Sequence, residues 1–364
     1  MEKPFSTISI LGKERIILTK PKITMQDIAD RLQLSKNSVS QALSGKDGVS
    51  EETRKLVLET AEQMGYTYLR GNRRKPSADS MQTGNIALIA TDFAFSKRNF
   101  FGEIYLTIEK EARKRGKHLL IQSISQQMKD ELALPPFIQN RTVDGILILS
   151  HLSTSYMNTL INTGIPAVLI DHHHPNVQAD CILTNNRFSA YHVVRYLYKL
   201  GHRRIGFIGN INFSPSYYER LEGFNLAHYE LELDVNPEWI IHDALEQQED
   251  MMQKMSNLSE QPTAWFCVND GLGFLAISTL NLLGYQVPHD ISVVSFDNGQ
   301  LSQIATPATT TMAVDLETYG VRAVEQLFWR MEHRDAPFTE LLLPTTLIER
   351  DSTAPPRELR KDQP

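Results

Sequence analysis

Cysteine is nearly absent, with only Cys181 and Cys267 in 364 residues. Two isolated cysteines cannot form a disulfide framework or a cysteine-based metal centre, and they fit buried thiols in a reducing compartment. Long apolar runs are missing too. No stretch approaches the roughly 18 consecutive apolar residues that cross a bilayer. The opening "MEKPFSTISILGKERIILTKPK" has neither a long apolar core nor a small-residue cleavage site. A cytoplasmic protein with no membrane partner is expected. Catalytic signatures are lacking as well: there is no G-x-x-x-x-G-K-[ST] loop, no G-x-S-x-G elbow and no H-E-x-x-H pair. "NDGLGFLAI" stops one glycine short of a dinucleotide fingerprint. Neither an enzyme nor a resident cofactor is expected.

What is there begins with charge. The chain is acidic overall, at −6, yet from residue 20 to 80 basic residues outnumber acidic ones eleven to eight. A basic end on an acidic body points that end at a polyanion. The same segment holds three short helical patterns. Thr24 can cap a helix carrying Ile28, Ala29 and Leu32, with Asp27 favouring its positive end. Ser35 can cap a second, with Val39, Ala42 and Leu43 inward, and Ser50 a third, with Val57, Ala61 and Met64 inward and Gly65 as its stop. Such narrow stripes can be buried only against each other. The result is a helix-turn-helix with a supporting third helix, whose second helix enters the major groove. Lys36, Asn37 and Gln41 are placed at base edges and Ser35, Ser38 and Ser40 at phosphates, with Thr24 beside them.

Beyond a tether, "TYLRGNRRKPSADSMQT", the pattern changes. "NIALIA", "HLLIQSI", "DGILIL", "IPAVLI", "RIGFIG", "TAWFCV" and "ISVVSF" read as buried strands alternating with helices. That alternation gives α/β units with parallel sheets and right-handed crossovers. Two such units put strand ends face to face across a cleft, where ligands bind. The body is a sensor or an enzyme.

The stretch "ITMQDIADRLQLSKNSVSQALSGKDGVSEETRKLVLETAEQMGY" resembles the DNA-binding headpiece of the lactose-repressor (LacI/GalR) family of bacterial transcription regulators. The body is similar to that family's effector-binding core through "DGILIL", "LGHRRIGFIG", "RLEGF", "PTAWFCVND", "GYQVPHDISVVSFDN" and "LPTTLIER". The resemblance spans about residues 23 to 350. It implies an all-α helix-turn-helix headpiece at 21–66, a basic linker at 67–84, and a two-subdomain, doubly wound core at 85–350 like that of periplasmic binding proteins. Residues 1–20 are then an extension and 351–364 a tail. Chain crossings between subdomains are expected near Leu183, near Thr310 and once more before the C-terminus.

Two headpiece positions depart from the family pattern. Gln33 stands where the family commonly has glycine in the tight turn, and Gln41 where it usually has arginine, shifting the expected base preference toward adenine. In the linker, the position at which the family wedges a leucine into the minor groove is Lys75, followed by Pro76, which disfavours a hinge helix. Arg70, Arg73, Arg74 and Lys75 then act as an extended phosphate-binding arm, or the segment is a disordered tether. For the cleft, the resemblance implies Arg220, whose fork suits vicinal hydroxyls, a carboxylate or a phosphate. Asp297, Asn269, Asp270, Ser214 and Ser216 join it, with Phe100 and Phe101 as an apolar plate. "DHHH", Asp171 to His174, is not a metal site, because adjacent histidines point apart. His172 is placed at the cleft mouth, and His173 and His174 in a loop. The whole reads as a homodimeric regulator, most simply a repressor, binding a double-stranded operator at the nucleoid under control of a sugar-like effector. The alternative is a small-molecule sensor with degenerate operator binding. Inducer or co-repressor behaviour and dimer or tetramer stay open.

Overall fold

The computed structural model describes residues 24–44, 48–64, 83–92, 94, 100–149 and 152–359, and the chain divides into two compact units, 1–81 and 82–364. In the first unit, helix α1 (Met25–Leu32) starts at a reciprocal cap: the Asp27 amide donates to Thr24 Oγ1 at 3.4 Å, and the Thr24 amide to the Asp27 carboxylate at 2.6 Å. Helices α2 (Lys36–Ser44) and α3 (Glu51–Gln63) follow. Ser35 Oγ accepts from the Ser38 amide at 3.0 Å and Ser50 Oγ from the Thr53 amide at 3.2 Å. Among the described residues of this unit, Ile28, Ala29, Val39, Ala42, Leu43, Val57 and Ala61 form the buried hydrophobic cluster, bordered by Leu32, Leu34 and Met64. So small a core leaves little reserve. Gln33, between α1 and α2, adopts φ 51 and ψ 38, the left-handed conformation, at a cost of about 1 kcal/mol that glycine would not incur.

The second unit is built on two six-stranded sheets. The first runs β11-β5-β4-β3-β1-β2 and is parallel throughout. Its strands are β1 (Asn85–Thr91), β2 (His118–Ile124), β3 (Ile146–Leu149), β4 (Ala167–Ile170), β5 (Asp180–Thr184) and β11 (Glu340–Leu343). The second sheet, β12-β10-β9-β8-β6-β7, contains β6 (Ile205–Ile208), β7 (Ile240–Ile241), β8 (Ala264–Cys267), β9 (Ser292–Asp297), β10 (Thr310–Val314) and β12 (Thr345–Ile348). Only β12 is antiparallel, pairing Thr311 with Ile348. Central strands are buried on both faces, as parallel strands under helices must be. That is why β1, β3, β4, β6 and β8 read as apolar runs, whereas β5, β9 and β10 mix in buried Asp, Ser and Thr.

The chain passes between the sheets three times, after β5, between β10 and the Leu316–Glu332 helix, and at Pro344 between β11 and β12. At the far ends of these elements from the crossings, Arg330 ties the Leu316–Glu332 helix to the first sheet: Nε and Nη2 donate to the two oxygens of the fully buried Asp180 at 2.6 and 2.9 Å, and other N–H groups reach the carbonyls of Ala336 and Pro337 at 2.7 and 2.9 Å. On the second sheet the helices Asn186–Lys199 and Pro215–Glu230 touch at Gly223, where a Cβ would lie 1.9 Å from the Arg187 carbonyl oxygen. No helix among the described residues is long and apolar enough to cross a membrane.

Candidate ligand cleft and DNA-reading helix

A cavity of about 660 Å³ opens between the two sheets. Its walls come from carboxyl ends of strands, where loop residues converge on backbone that the sheet holds rigid. Phe100 and Phe101 begin the helix after β1, Asp171 follows β4, Ser214 and Ser216 open the helix after β6, Asn269 and Asp270 follow β8, and Asp297 closes β9. Phe100, Phe101, Ser214, Ser216, Arg220, Asn269, Asp270 and Asp297 thus all line this one cavity. Phe213, Tyr217 and Glu246 line it too, without having been picked out from the sequence, and so does Asp171, noted there only as the start of "DHHH".

Arg220 organises the floor. Its side chain is 3% exposed, with Nε donating to Asn186 Oδ1 at 2.9 Å, Nη1 donating to the Val268 carbonyl, and Nη1 standing 3.5 Å from Asp297 Oδ1. The guanidinium lies 3.6 Å over the Phe296 ring. Every group around it is held in place. Asp171 Oδ1 accepts from Ser216 Oγ at 3.0 Å, and Asn269 Nδ2 donates to Tyr217 Oη at 2.6 Å and Glu246 Oε1 at 2.7 Å. Asp270 Oδ1 accepts from Ser295 Oγ at 2.5 Å and Thr311 Oγ1 at 2.9 Å. Burial pushes the Asp171 carboxyl up to about 7 against the pull of Arg220. Burial, with Asp297 adding to it, pushes Asp270 up to about 7 despite its hydroxyl partners. Asp297 is raised as well, by burial first, with Arg220 opposing and Glu246 adding. Asp171 and Asp297 both have positive φ, 55 and 103°, a strain that non-glycine residues adopt where surrounding structure imposes it.

Phe100 and Phe101 meet edge to face at 5.0 Å, and Phe213 stacks on Tyr217 at 6.0 Å. The two pairs line the cavity from opposite subdomains. The thiols of Cys181 and Cys267 are buried and raised by that burial, so they are poor nucleophiles.

His172 lines a separate cavity of about 630 Å³ together with Lys129, Asp130, Asn212 and Phe213. Both its ring nitrogens are buried without a partner, and burial lowers it to about 4. His173 lies in the loop after β4, as expected, but it is not an isolated loop residue. Its Nε2 lies 3.0 Å from Glu219 of the second subdomain and its Nδ1 3.3 Å from Glu340 of β11. Sequence could not show a contact between residues so far apart in the chain.

In the headpiece, Lys36 and Asn37 are exposed on the first turn of α2. Ser35 and Ser38 bond each other at 2.8 Å while capping the helix, and Ser40 is half-buried. Gln41 is also half-buried: its amide runs beside Gly48, whose φ is +121° and whose Cβ, were there one, would meet Gln41 Oε1 at 2.9 Å. Thr24 is exposed, with its hydroxyl donating to Asp27 at 2.7 Å. Arg54, from α3, donates to the Gln41 and Ala42 carbonyls at 3.4 and 3.3 Å, tying the reading helix to its support. Arg70, Arg73, Arg74 and Lys75 lie outside the described residues.

Comparison with known proteins fits both parts. Residues 24–68 match the family of bacterial regulatory proteins of the lacI type, and residues 194–353 match a periplasmic binding protein-like domain. The HTH-type transcriptional repressor CytR of Escherichia coli strain K12 is 30% identical over 333 residues, covering 91% of this chain and 96% of its own. The ribose operon repressor of Haemophilus influenzae is 28% identical over 332 residues, covering 90% and 98%. The transcriptional regulator CelR in complex with cellobiose has the same fold, with a TM-score of 0.68 at 22% identity over 91% of this chain and 99% of its own. With its helix-turn-helix, its two sheets joined by three crossings and this likeness over nine-tenths of its length, the chain belongs to the lacI family of bacterial regulatory proteins.

Proposed function

We propose that the chain is a transcriptional repressor of the cytoplasm that binds a pseudo-palindromic operator as a homodimer and is controlled by a small sugar or sugar-like effector, with no chemical step. The observation that carries this reading is the cavity wall. Residues from both subdomains line one cavity across a three-segment hinge, so a ligand there favours one placement of the subdomains. Phe100, Phe101, Ser214, Ser216, Arg220, Asn269, Asp270 and Asp297 hold the effector. Arg220 spends Nε and Nη1 on protein groups and keeps Nη2 for a ligand oxygen.

Dimerisation follows from the reading helix, which spans too few base pairs alone, so that paired half-sites supply the specificity. Lys36, Asn37 and Gln41 read base edges; Thr24, Ser35, Ser38 and Ser40 hold phosphates. Arg70, Arg73, Arg74 and Lys75 serve as a basic arm along the backbone. A difference in effector affinity between the two subdomain placements of about 1 to 3 kcal/mol changes operator affinity roughly 5- to 150-fold. Selection from a random duplex pool with the full-length protein tests the first half: a two-fold symmetric site is expected, and no enrichment contradicts it.

A further inference from the structure

The charges lining the cleft are one-sided. Among the described residues that line it, Glu103, Asp171, Glu246, Asp270 and Asp297 carry carboxyl groups, while Arg220 is the single cation. That cation is already engaged by Asp297, the Val268 carbonyl and Asn186. Asp270 already accepts from Ser295, Thr311 and the Gly299 amide, which fixes its orientation and leaves it little accepting capacity for a ligand. Asp171 and Asp297 each take a side-chain hydrogen bond on Oδ1, which leaves the second oxygen of each to whatever enters. An acceptor-rich floor of this kind rewards ligand hydroxyl and amino groups. A phosphate or carboxylate would enter among carboxyl groups that burial and mutual repulsion already raise, and would add to that repulsion with one shared guanidinium to offset it.

Resting on the effector-cleft reading above, we infer that the effector is an uncharged or cationic ring compound rich in hydroxyl or amino donors, and that phosphorylated and carboxylated compounds are rejected. The two aromatic pairs support it from the walls. Phe100, Phe101, Phe213 and Tyr217 line the cavity, and aromatic surface strips water from an entering anion without replacing its hydrogen bonds, a cost that the C–H groups of a sugar ring do not incur. Of the three ligand groups that suit a buried arginine, the surroundings of Arg220 therefore select hydroxyls.

The test is calorimetric titration of the full-length protein with matched pairs: D-glucose, D-ribose, D-glucosamine and adenosine, each against its own phosphate ester. At least one unphosphorylated member is expected to bind, with its ester at least 100-fold weaker. Asp297→Asn and Glu246→Gln, measured separately in case either fails to fold, are each expected to narrow that gap about tenfold. An ester that binds as well as its parent, or a gap unchanged in both folded variants, overturns the inference and leaves the cleft reading in place. If no member of the panel binds, the sugar-like effector itself is wrong and the inference falls with it.

Discussion

His173 ties the first subdomain to the second, and its removal should weaken the fold in a way that depends on pH. The hydrogen bond to Glu219, against the opposing effect of burial, raises the imidazole from its ordinary 6.5 to about 9, and Glu340 adds to the rise. Glu219 itself, although burial pushes it up, is held below its ordinary 4.5 by His173 and Asn186. The groups facing this pair are His172 and His174 on the same loop, Glu340 on β11, and Asn186 and Arg187 on the neighbouring helix. A histidine raised in the folded state stabilises fully below about 6.5, and that contribution is lost as pH rises through about 9. For Glu219 the contribution is present above 4.5 and lost as pH falls through its lowered value.

At roughly 1.4 kcal/mol per pH unit, the rise on His173 sets a ceiling of about 3 kcal/mol. Its side chain is 28% exposed, so solvent screening reduces this to about 1–2 kcal/mol. Urea denaturation of wild type and His173→Gln, followed by tryptophan fluorescence, should show that loss at pH 6 and almost none at pH 10. A difference that stays constant from pH 6 to pH 10 would refute the ion-pair assignment.

Gly223→Ala forces a methyl group against the Arg187 carbonyl oxygen, where backbone rather than a flexible side chain must move, so a loss of about 3 kcal/mol is expected by urea denaturation. Asp180→Asn leaves Arg330 buried without its counter-charge and should cost about 3–5 kcal/mol by the same assay, whereas a near-neutral result would mean that the carbonyls of Ala336 and Pro337 suffice. Gln41→Arg should move the preferred base at one position of each half-site toward guanine, read by repeating the duplex selection.

Much of this was legible from local pattern. Thr24, Ser35 and Ser50 cap their helices because capping needs only the next three residues, and parallel strands announce themselves as apolar runs because both their faces are buried. β5, β7, β10, β11 and β12 did not stand out: β7 is two residues long, β11 and β12 are edge strands partly in solvent, and the buried β5 and β10 carry Asp180, Thr184, Thr310 and Thr311 among their apolar residues. The cleft residues named from motifs all line one cavity, yet its excess of acid was hidden. Asp171 and Glu246 reach Arg220's neighbourhood only when loops from several strands converge. Likewise the pairing of His173 with Glu219 and Glu340 depends on two subdomains meeting at the hinge, which no spacing encodes. The left-handed Gln33 shows the converse: a turn chosen by tertiary packing overrides the local cost of the residue that occupies it.

The central claim is that occupancy of the cleft sets operator affinity. Its most direct test is the dissociation constant for the selected operator, measured on full-length protein with and without saturating effector, for wild type and for Arg220→Lys. Lysine cannot hold Asn186, Val268 and a ligand oxygen at once. Wild type should change affinity at least fivefold on adding effector, and the variant should show a ratio near one at the same effector concentration. An operator affinity that does not respond to effector bound in the wild-type cleft would contradict the account.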